Sequence, residues 1–207
     1  MGGAPQLILA SASPRRRELL QQLGAPFRPE PASIDESRRP GEEPADYVQR
    51  MAMEKAAAVA ARHSLREFAV LGADTSVIID GDVLGKPADH FDGLAMLARL
   101  SGRRHTVMTA ICLQGSWGRD SRLVCTEVEF VTLERGLCEA YLATDEPWDK
   151  AGAYGIQGLG GALVHTIEGS YSNVVGLPLC ETWQLLAARG ITTGLSAVAP
   201  PLRGGPE

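Results

Sequence analysis

The chain has few of the residues that build disulfide frameworks, metal clusters or catalytic histidine sites. Among its 207 residues, four are cysteine and four are histidine. No two cysteines form a C-x-x-C pair, and none has a histidine at zinc-ligand spacing. Neither a structural zinc site nor a histidine-centred triad is therefore indicated. We expect the cysteines to be small, reduced core residues, which suits a reducing cytoplasm.

Aromatic residues and positive charge are also scarce. Aromatics make up 5% of the chain, and the formal net charge is −5. A module that binds nucleic acid polymers combines a basic surface with stacking aromatics, so that class is disfavoured. No apolar run reaches the roughly 20 residues that a membrane helix requires, and the first six residues resemble neither a secretory signal nor a myristoylation site. Any anion site must therefore be a local concentration of basic groups.

Such a concentration occurs near the start of the chain. Residues 7–10 are typical of a buried strand, Ser13 is a good helix N-cap, and Pro14 suits the first helical position. Arginines at positions 15–17 then fill the first helical turn. Helix N-termini carry partial positive charge and favour acidic side chains, so this arrangement is unfavourable unless an anion binds there. Free N–H groups, serine hydroxyls and guanidinium groups together predict a phosphate or polyphosphate site.

Strand and helix patterns alternate along the rest of the chain, which predicts an α/β fold. Residues 25–44 are rich in proline and charge and are predicted to form a loop. Gly24 and Gly102 are predicted to end helices. The remaining predicted elements are helices at 47–62, 89–100, 137–143 and 178–189, strands at 68–71, 105–113 and 122–133, a type I′ hairpin over 77–84, a glycine-rich segment at 149–161, and a flexible tail over 191–207.

Lys55 is unusual because it lies near the apolar stripe of the predicted 47–62 helix. Periodicity alone favours a lysine that extends its ammonium group to the rim of the apolar surface. The alternative is a lysine that points into a cleft.

Four further positions could carry carboxylate or cation chemistry. Asp74 follows a buried run and a glycine, so we expect it at a strand end, where crevices open in α/β sheets. The hairpin that follows could return Lys86 to its vicinity, and a carboxylate beside a cation and a phosphate could hold a metal or orient water. Asp35 and Glu36 are candidate additional metal ligands, since magnesium binds a few carboxylates together with substrate phosphates. Acidic loop residues are, however, usually only solvated.

The glycine-rich segment offers one group suited to a nucleobase. Gln157 carries both a donor and an acceptor, as recognition of a base edge requires. A purely structural loop packed by Tyr154 and Ile156 explains the segment equally well. The run over 158–161 matches neither the dinucleotide-binding fingerprint nor a P-loop, so neither site is supported.

Several motifs, taken in order, resemble the Maf family of nucleoside triphosphate pyrophosphatases. The similarity extends from residue 7 to residue 188 without a large insertion, and the ordered set is far more specific than any one motif. The motifs are SASPRR at 11–16, GADT at 72–75, GKP at 85–87, LSG at 100–102, DKAGAYGIQG at 149–158, GSY at 169–171 and NVVGLP at 173–178.

This resemblance implies hydrolysis of a nucleoside triphosphate between its α and β phosphates. It also implies an elongated mixed β-sheet with flanking helices and two lobes around a central cleft, a divalent cation (Mg, Mn or Co), a homodimer and a cytoplasmic location. A single domain over residues 1–190 would then be followed by the tail. The implied roles are catalysis by Asp74, metal binding by Glu36 and Asp74, specificity by Arg15, Thr75 and Gln157, and phosphate binding by Ser11, Arg16, Lys55 and Lys86.

The segment that contains Gln157, together with Thr75, resembles the branch of the family that acts on dTTP and UTP and on some modified pyrimidine triphosphates. The branch that acts on 7-methyl-GTP tends to have a glutamate near Gln157, which would suit a cationic base. A nucleotide-binding regulator of cell division with little turnover is a further alternative. The family resemblance leaves Arg17 without a role, and it is expected to be a solvated neighbour.

Overall fold

A computed structural model describes residues 4–196 of the chain. The strands are β1 (Gln6–Leu9), β2 (Phe27–Pro29), β3 (Phe68–Ile79), β4 (Asp82–Leu84), β5 (Arg104–Gly115), β6 (Gly118–Phe130) and β7 (Val164–Glu168). The helices are α1 (Pro14–Gln22), α2 (Pro44–Ala60), α3 (His90–Leu100), α4 (Arg135–Leu142), α5 (Tyr171–Val175) and α6 (Leu179–Ala188). Three short 3₁₀ turns lie between α4 and β7. The α/β prediction is therefore confirmed.

The seven strands form one mixed sheet in the order β2-β1-β3-β5-β6-β7, with β4 also paired to β3. The β2-β1-β3 pairs are parallel, and all other pairs are antiparallel. One edge of β3 is shared, because β1 pairs with it up to Leu71 and β4 pairs with it from Val77. The sheet therefore divides at residues 72–76 of β3, between the end of β1 and the hairpin.

Local sequence explains several of these elements. Asp80 and Gly81 both have positive φ (55° and 80°), as a two-residue type I′ turn requires, and they connect Ile79 to its partner Asp82. The Ser13 side chain caps α1 by accepting from the Arg16 N–H, and no acidic residue lies in the first turn. The hairpin and the capped helix are both confirmed.

Other elements differ from the sequence-based prediction. The predicted 25–44 loop contains β2, which pairs with β1, and both β7 and α5 were not predicted. Strand β3 continues to Ile79 instead of ending near Asp74, because its antiparallel pairing with β5 runs from Val70 to Ile78. The expectation that Asp74 lies at a strand end was therefore wrong: it lies within β3, beside the division of the sheet.

Three apolar clusters divide the molecule into two lobes. In the first lobe, α1 and α6 pack against one face of the sheet, and α2 packs against the other face. In the second lobe, α3 and α4 pack around the β4 hairpin and the ends of β5 and β6. Residues from both lobes line a cleft at the division of the sheet. This arrangement confirms the elongated mixed sheet with two lobes around a cleft.

The four cysteines are free, but only two fit the expectation of core residues. Cys112 and Cys138 are buried, whereas Cys125 and Cys180 are exposed. Cys125 lies on β6 and Cys180 on the first turn of α6, where one face of each element is not covered. The prediction of core positions was therefore wrong for these two.

Residues just beyond the expected domain boundary at residue 190 also pack against the rest of the molecule. Ile191 and Thr193 are buried, and the Gly194 N–H donates to the Leu23 carbonyl. The packed body thus extends past residue 190, and the remainder of the predicted tail, residues 197–207, lies outside the described residues. Within residues 4–196, no helix is both long enough and apolar enough to cross a membrane.

Candidate active site

The cleft between the lobes has a volume of about 580 Å³, which is in the range of cavities that hold small molecules. One side is polar and is lined by the β1–α1 loop, Glu36, Lys55 and the central residues of β3. The other side is more apolar and is formed by the hairpin, Val107, Val174 and the glycine-rich segment. An elongated ligand with a charged end and a flat apolar end would match this division.

The central residues of β3 reach both faces of the sheet from this position. Successive side chains of a strand point to opposite faces. Asp74 accordingly contacts Lys55 of α2, and Thr75 contacts Arg16 of α1. Because the sheet is divided here, both side chains also line the same cleft. The strand thereby presents a carboxylate and a hydroxyl to one ligand.

Lys55 points into the cleft and does not reach to the rim. Its ammonium nitrogen lies 2.7 Å from Asp74 Oδ1 and 3.1 Å from Glu36 Oε2, and its side chain is 11% exposed. The interpretation that periodicity favoured, a lysine extending to the rim, was wrong. Tertiary packing explains the difference, because α2 lies against β3 and directs Lys55 toward a buried carboxylate.

Asp74 is a buried carboxylate held between cationic groups. Burial raises the pKa of its carboxyl, while the nearby charges of Lys55 and Arg16 act in the opposite direction. A carboxylate in such a setting is a stronger base than one in water, and the cations favour its ionised form.

Most of the N–H donors of the Arg16 guanidinium group form hydrogen bonds with other protein groups. Its Nε donates to the Gly176 carbonyl at 2.8 Å, its Nη2 to Thr75 Oγ1 at 3.0 Å, and its Nη1 to Ser11 Oγ at 3.3 Å. Burial lowers the pKa of its guanidinium group. Thr75 Oγ1 also lies 2.9 Å from Thr109 Oγ1. Arg16 therefore ties α1, β3 and the end of α5 together, and it lines the cleft as well.

Arg15 reaches across the cleft toward the glycine-rich side. Its Nη1 lies 2.9 Å from Asp149 Oδ2, and Asp149 Oδ1 accepts from the Lys150 ammonium at 2.7 Å. Both Asp149 and Lys150 line the cleft. Sequence reasoning did not single out these two residues as site residues. The available signal was their place in the 149–158 motif.

The remaining predicted positions divide into two groups. Ser11, Lys86 and Glu36 all line the cleft, and the Glu36 side chain is 55% exposed. Gln157 is exposed and lies next to Ile156, which lines the cleft, but is not itself in the lining. Asp35 also lies outside the lining, and its carboxylate accepts from the Ser37 N–H. Arg17 likewise does not reach the cleft.

The donor groups of the site are compatible with a divalent cation. Glu36 and Asp74 bring two carboxylates to the same ammonium group from different elements. Magnesium is commonly held by one or two carboxylates together with substrate phosphates, so this pair fits such an ion. Among residues 4–196, no group of three or more histidine, cysteine, aspartate or glutamate residues could hold a metal ion by itself.

Comparison with known proteins gives consistent matches over nearly the whole chain. The family model "Maf-like protein" matches residues 6–189. A dTTP/UTP pyrophosphatase of Hahella chejuensis is 52% identical over 190 residues, which are 91% of this chain and 94% of the relative. The protein of the same name from Alcanivorax borkumensis is 54% identical over 181 residues, which are 87% and 93% of the two chains.

A third relative, a dTTP/UTP pyrophosphatase of Shewanella oneidensis, is 52% identical over 191 residues, covering 89% of this chain and 98% of its own. The structure of the Staphylococcus aureus Ham1 protein aligns with 60% of this chain and 71% of its own, with a TM-score of 0.40 and 13% identity. We draw nothing from that last likeness. The family model and the curated relatives establish that this chain belongs to the Maf family.

Proposed function

We propose that the protein is a nucleoside triphosphate pyrophosphatase that hydrolyses dTTP and UTP to the monophosphate and pyrophosphate. The observation that carries the proposal is the buried Asp74–Lys55 pair inside a cleft with one cationic side. The curated relatives, which are 52–54% identical to this chain over most of its length, are named dTTP/UTP pyrophosphatases. Modified pyrimidine triphosphates are candidate substrates of the same site.

The polar side of the cleft suits the triphosphate. The β and γ phosphates would lie against the N-terminus of α1, since Pro14, Arg15 and Arg16 line the cleft together with Ser11 and Lys86. Arg15 would contribute its guanidinium group if it exchanged Asp149 for phosphate. Arg16 would act chiefly by holding Ser11 and Thr75 in place, with its unused N–H donors available to phosphate.

Asp74 would accept a proton from the water that attacks the α phosphorus. The water oxygen bonds to that phosphorus as the bond to the α–β bridging oxygen breaks, and the bridging oxygen leaves with pyrophosphate. The Lys55 ammonium would align the Asp74 carboxylate and favour its ionised form against the effect of burial. Glu36 and Asp74 would hold a divalent cation, Mg²⁺, Mn²⁺ or Co²⁺, which when bound neutralises negative charge on the phosphates.

The apolar side of the cleft would receive the base and sugar. Thr75 lines the cleft, and Gln157 is an exposed neighbour of the lining residue Ile156. A neutral amide suits the neutral edge of a pyrimidine, whereas a carboxylate would suit a methylated, cationic guanine. We therefore assign dTTP and UTP ahead of 7-methyl-GTP. The partner is a free nucleotide, and a homodimer in the cytoplasm is proposed from the family resemblance alone.

A pyrophosphate-release assay tests the proposal. The panel contains dTTP, UTP, 7-methyl-GTP and GTP, each with Mg²⁺, Mn²⁺ or Co²⁺. We expect release from dTTP and UTP and a loss of about 10² to 10⁴-fold in Asp74→Asn, the usual contribution of a general base. The variant should still bind dTTP. Asp46→Asn, an exposed change on the first turn of α2, is the matched control.

Three results would count against parts of this assignment. Near-normal turnover in Asp74→Asn would remove Asp74 from its catalytic role. Preferential release from 7-methyl-GTP would move the protein to the other branch. Tight dTTP binding by the wild-type protein without release would favour a nucleotide-binding regulator.

A further inference from the structure

Glu146 makes an unusual set of contacts outside the lining of the cleft. It precedes the first 3₁₀ turn and is half-buried. Its Oε2 accepts from the Leu159 N–H at 2.8 Å, and its Oε1 accepts from the Gly160 N–H at 2.9 Å. The Tyr141 hydroxyl also donates to Oε1, at 2.8 Å. One carboxylate thus satisfies three donors, two of which are backbone groups of the glycine-rich segment.

Tyr141 adds a hydrogen bond at the other end of the same segment. Its hydroxyl oxygen accepts a hydrogen bond from the Gly155 N–H at 3.1 Å, and its O–H donates to Glu146. The Tyr141–Glu146 pair therefore fixes Gly155 at one end and Leu159 and Gly160 at the other. The residues between these contacts include Ile156, which lines the cleft, and its exposed neighbour Gln157.

Two glycines of the segment lie very close to the Tyr141–Glu146 pair. A Cβ on Gly158 would lie 2.2 Å from Glu146 Oε2, and one on Gly160 would lie 2.6 Å from the Tyr141 hydroxyl. Neither glycine has a positive φ, so what the two positions share is a close approach to this pair and not an unusual backbone conformation.

The contacts also favour the ionised form of Glu146, which accepts from all three donors. Burial acts to raise the pKa of this carboxyl, but the Gly160, Tyr141 and Leu159 donors together with the charge of Lys150 lower it below its usual value.

We propose that Glu146 is a positioning residue for substrate selection: through Tyr141 and the Leu159 and Gly160 N–H groups it fixes the 155–160 segment, and thereby holds the lining residues Gly155 and Ile156 against the nucleobase. The inference rests on the proposed function for the identity of the ligand. It does not require Glu146 to touch the nucleotide. The phosphate end of the cleft is built from other elements, so loss of Glu146 should weaken recognition of the base and leave recognition of phosphate unchanged.

Variants of the Tyr141–Glu146 pair separate this role from a general structural one. In Glu146→Ala, we expect the KM for dTTP to rise about tenfold while kcat stays within about threefold, the pattern of lost uniform binding. Inhibition by inorganic pyrophosphate, which reports the phosphate end, should be unchanged. Tyr141→Phe should also raise the KM for dTTP, but by a smaller factor than Glu146→Ala. Glu139→Ala, an exposed change on the same helix as Tyr141, is the control.

Gly158→Ala supplies an independent test of the same contact. Its Cβ would displace the Glu146 carboxylate, so this variant should raise the KM for dTTP as Glu146→Ala does. In the double variant Glu146→Ala/Gly158→Ala, the change at Gly158 should raise the KM for dTTP little further, because the carboxylate that its methyl group would displace is already absent. Such non-additivity is the signature of one shared interaction.

The inference is overturned if the KM for dTTP in Glu146→Ala equals that of the wild type. It is also overturned if affinity for pyrophosphate falls in parallel, or if the two changes are additive. Should Glu146→Ala fail to fold, Tyr141→Phe and Gly158→Ala decide the matter by the same criteria. A wild-type protein that releases no pyrophosphate from dTTP would refute the proposed function instead, and calorimetric binding of dTTP and pyrophosphate would still measure the effect of Glu146.

Discussion

Gly72 allows α2 to pack close enough to β3 for Lys55 to reach Asp74. A Cβ built on Gly72 would lie 2.3 Å from the Ala52 carbonyl oxygen, 2.7 Å from the Ala56 nitrogen and 2.9 Å from the Ala56 Cβ. Gly72 and Asp74 are two residues apart on one strand and share the face that α2 covers. Any change in the separation of helix and strand at Gly72 therefore acts directly on the Lys55–Asp74 contact.

Gly72→Ala is expected to impair catalysis more than folding. The 2.3 Å approach is about 1 Å shorter than ordinary van der Waals contact, which starts at 3.4 Å, and the obstructing atoms belong to the helix backbone. The helix must therefore move. Overpacking of this kind costs about 1–3 kcal/mol of stability. A displacement of about 1 Å at catalytic groups can cost about 10²-fold in rate, so we expect a loss of that order in kcat for dTTP.

The measurement combines thermal unfolding with pyrophosphate release. Gly136→Ala is the matched control, because a Cβ on Gly136 meets no atom within 4 Å. Adding Ala56→Gly to Gly72→Ala should restore little of the lost stability or turnover, since the new methyl group still meets the backbone of Ala52 and Ala56. Wild-type stability and turnover in Gly72→Ala would refute the reasoning, and full rescue by Ala56→Gly would show that the obstruction lies in the side chain only.

Two further predictions concern acid stability and thiol reactivity. The Arg50 side chain lowers the pKa of Glu42 from 4.5 to about 2, so this pair stabilises the fold above pH 4.5 and loses that effect as the pH falls toward 2. The difference in urea midpoint between Arg50→Met and wild type should narrow over that interval, and a constant difference would contradict the assignment. For the thiols, burial raises the pKa of Cys112 to about 11 and Cys138 is also buried, whereas Cys125 and Cys180 are exposed. A disulfide reagent at pH 8 should label two thiols quickly in the folded protein and four after unfolding; four fast thiols would contradict the burial.

The local features of this fold could be predicted because each depends on a few neighbouring residues. The Ser13 cap, the Pro14 start and the Asp80–Gly81 turn are all set by backbone preferences of single residues. The short strand β2 could not be predicted in this way. It has three residues, one of them proline, and it exists because β1 offers a free edge.

The arrangement of the site depends on contacts between distant parts of the chain. Periodicity placed Lys55 on the buried face of α2 correctly but gave no information on the carboxylates opposite it. Asp74 was expected at a crevice for the wrong reason. The crevice opens beyond the end of β1, and β3 passes through it without interruption. No sequence pattern indicated a role for Glu146, because two of its three donors are backbone N–H groups 13 and 14 residues away.

The three arginines that begin α1 show why a run of like residues is not one site. Successive residues of an α-helix point about 100° apart, so neighbours in sequence face different surroundings. Arg15 extends across the cleft to Asp149, Arg16 turns inward to Thr75 and Gly176, and Arg17 is not among the residues that line the cleft. Within residues 4–196, Arg15 is the one of the three whose charge is paired with a carboxylate that a phosphate could replace. The anion that the sequence required would therefore be recognised through Arg15 and the helix N-terminus, and Arg16 would keep the surrounding loop in place.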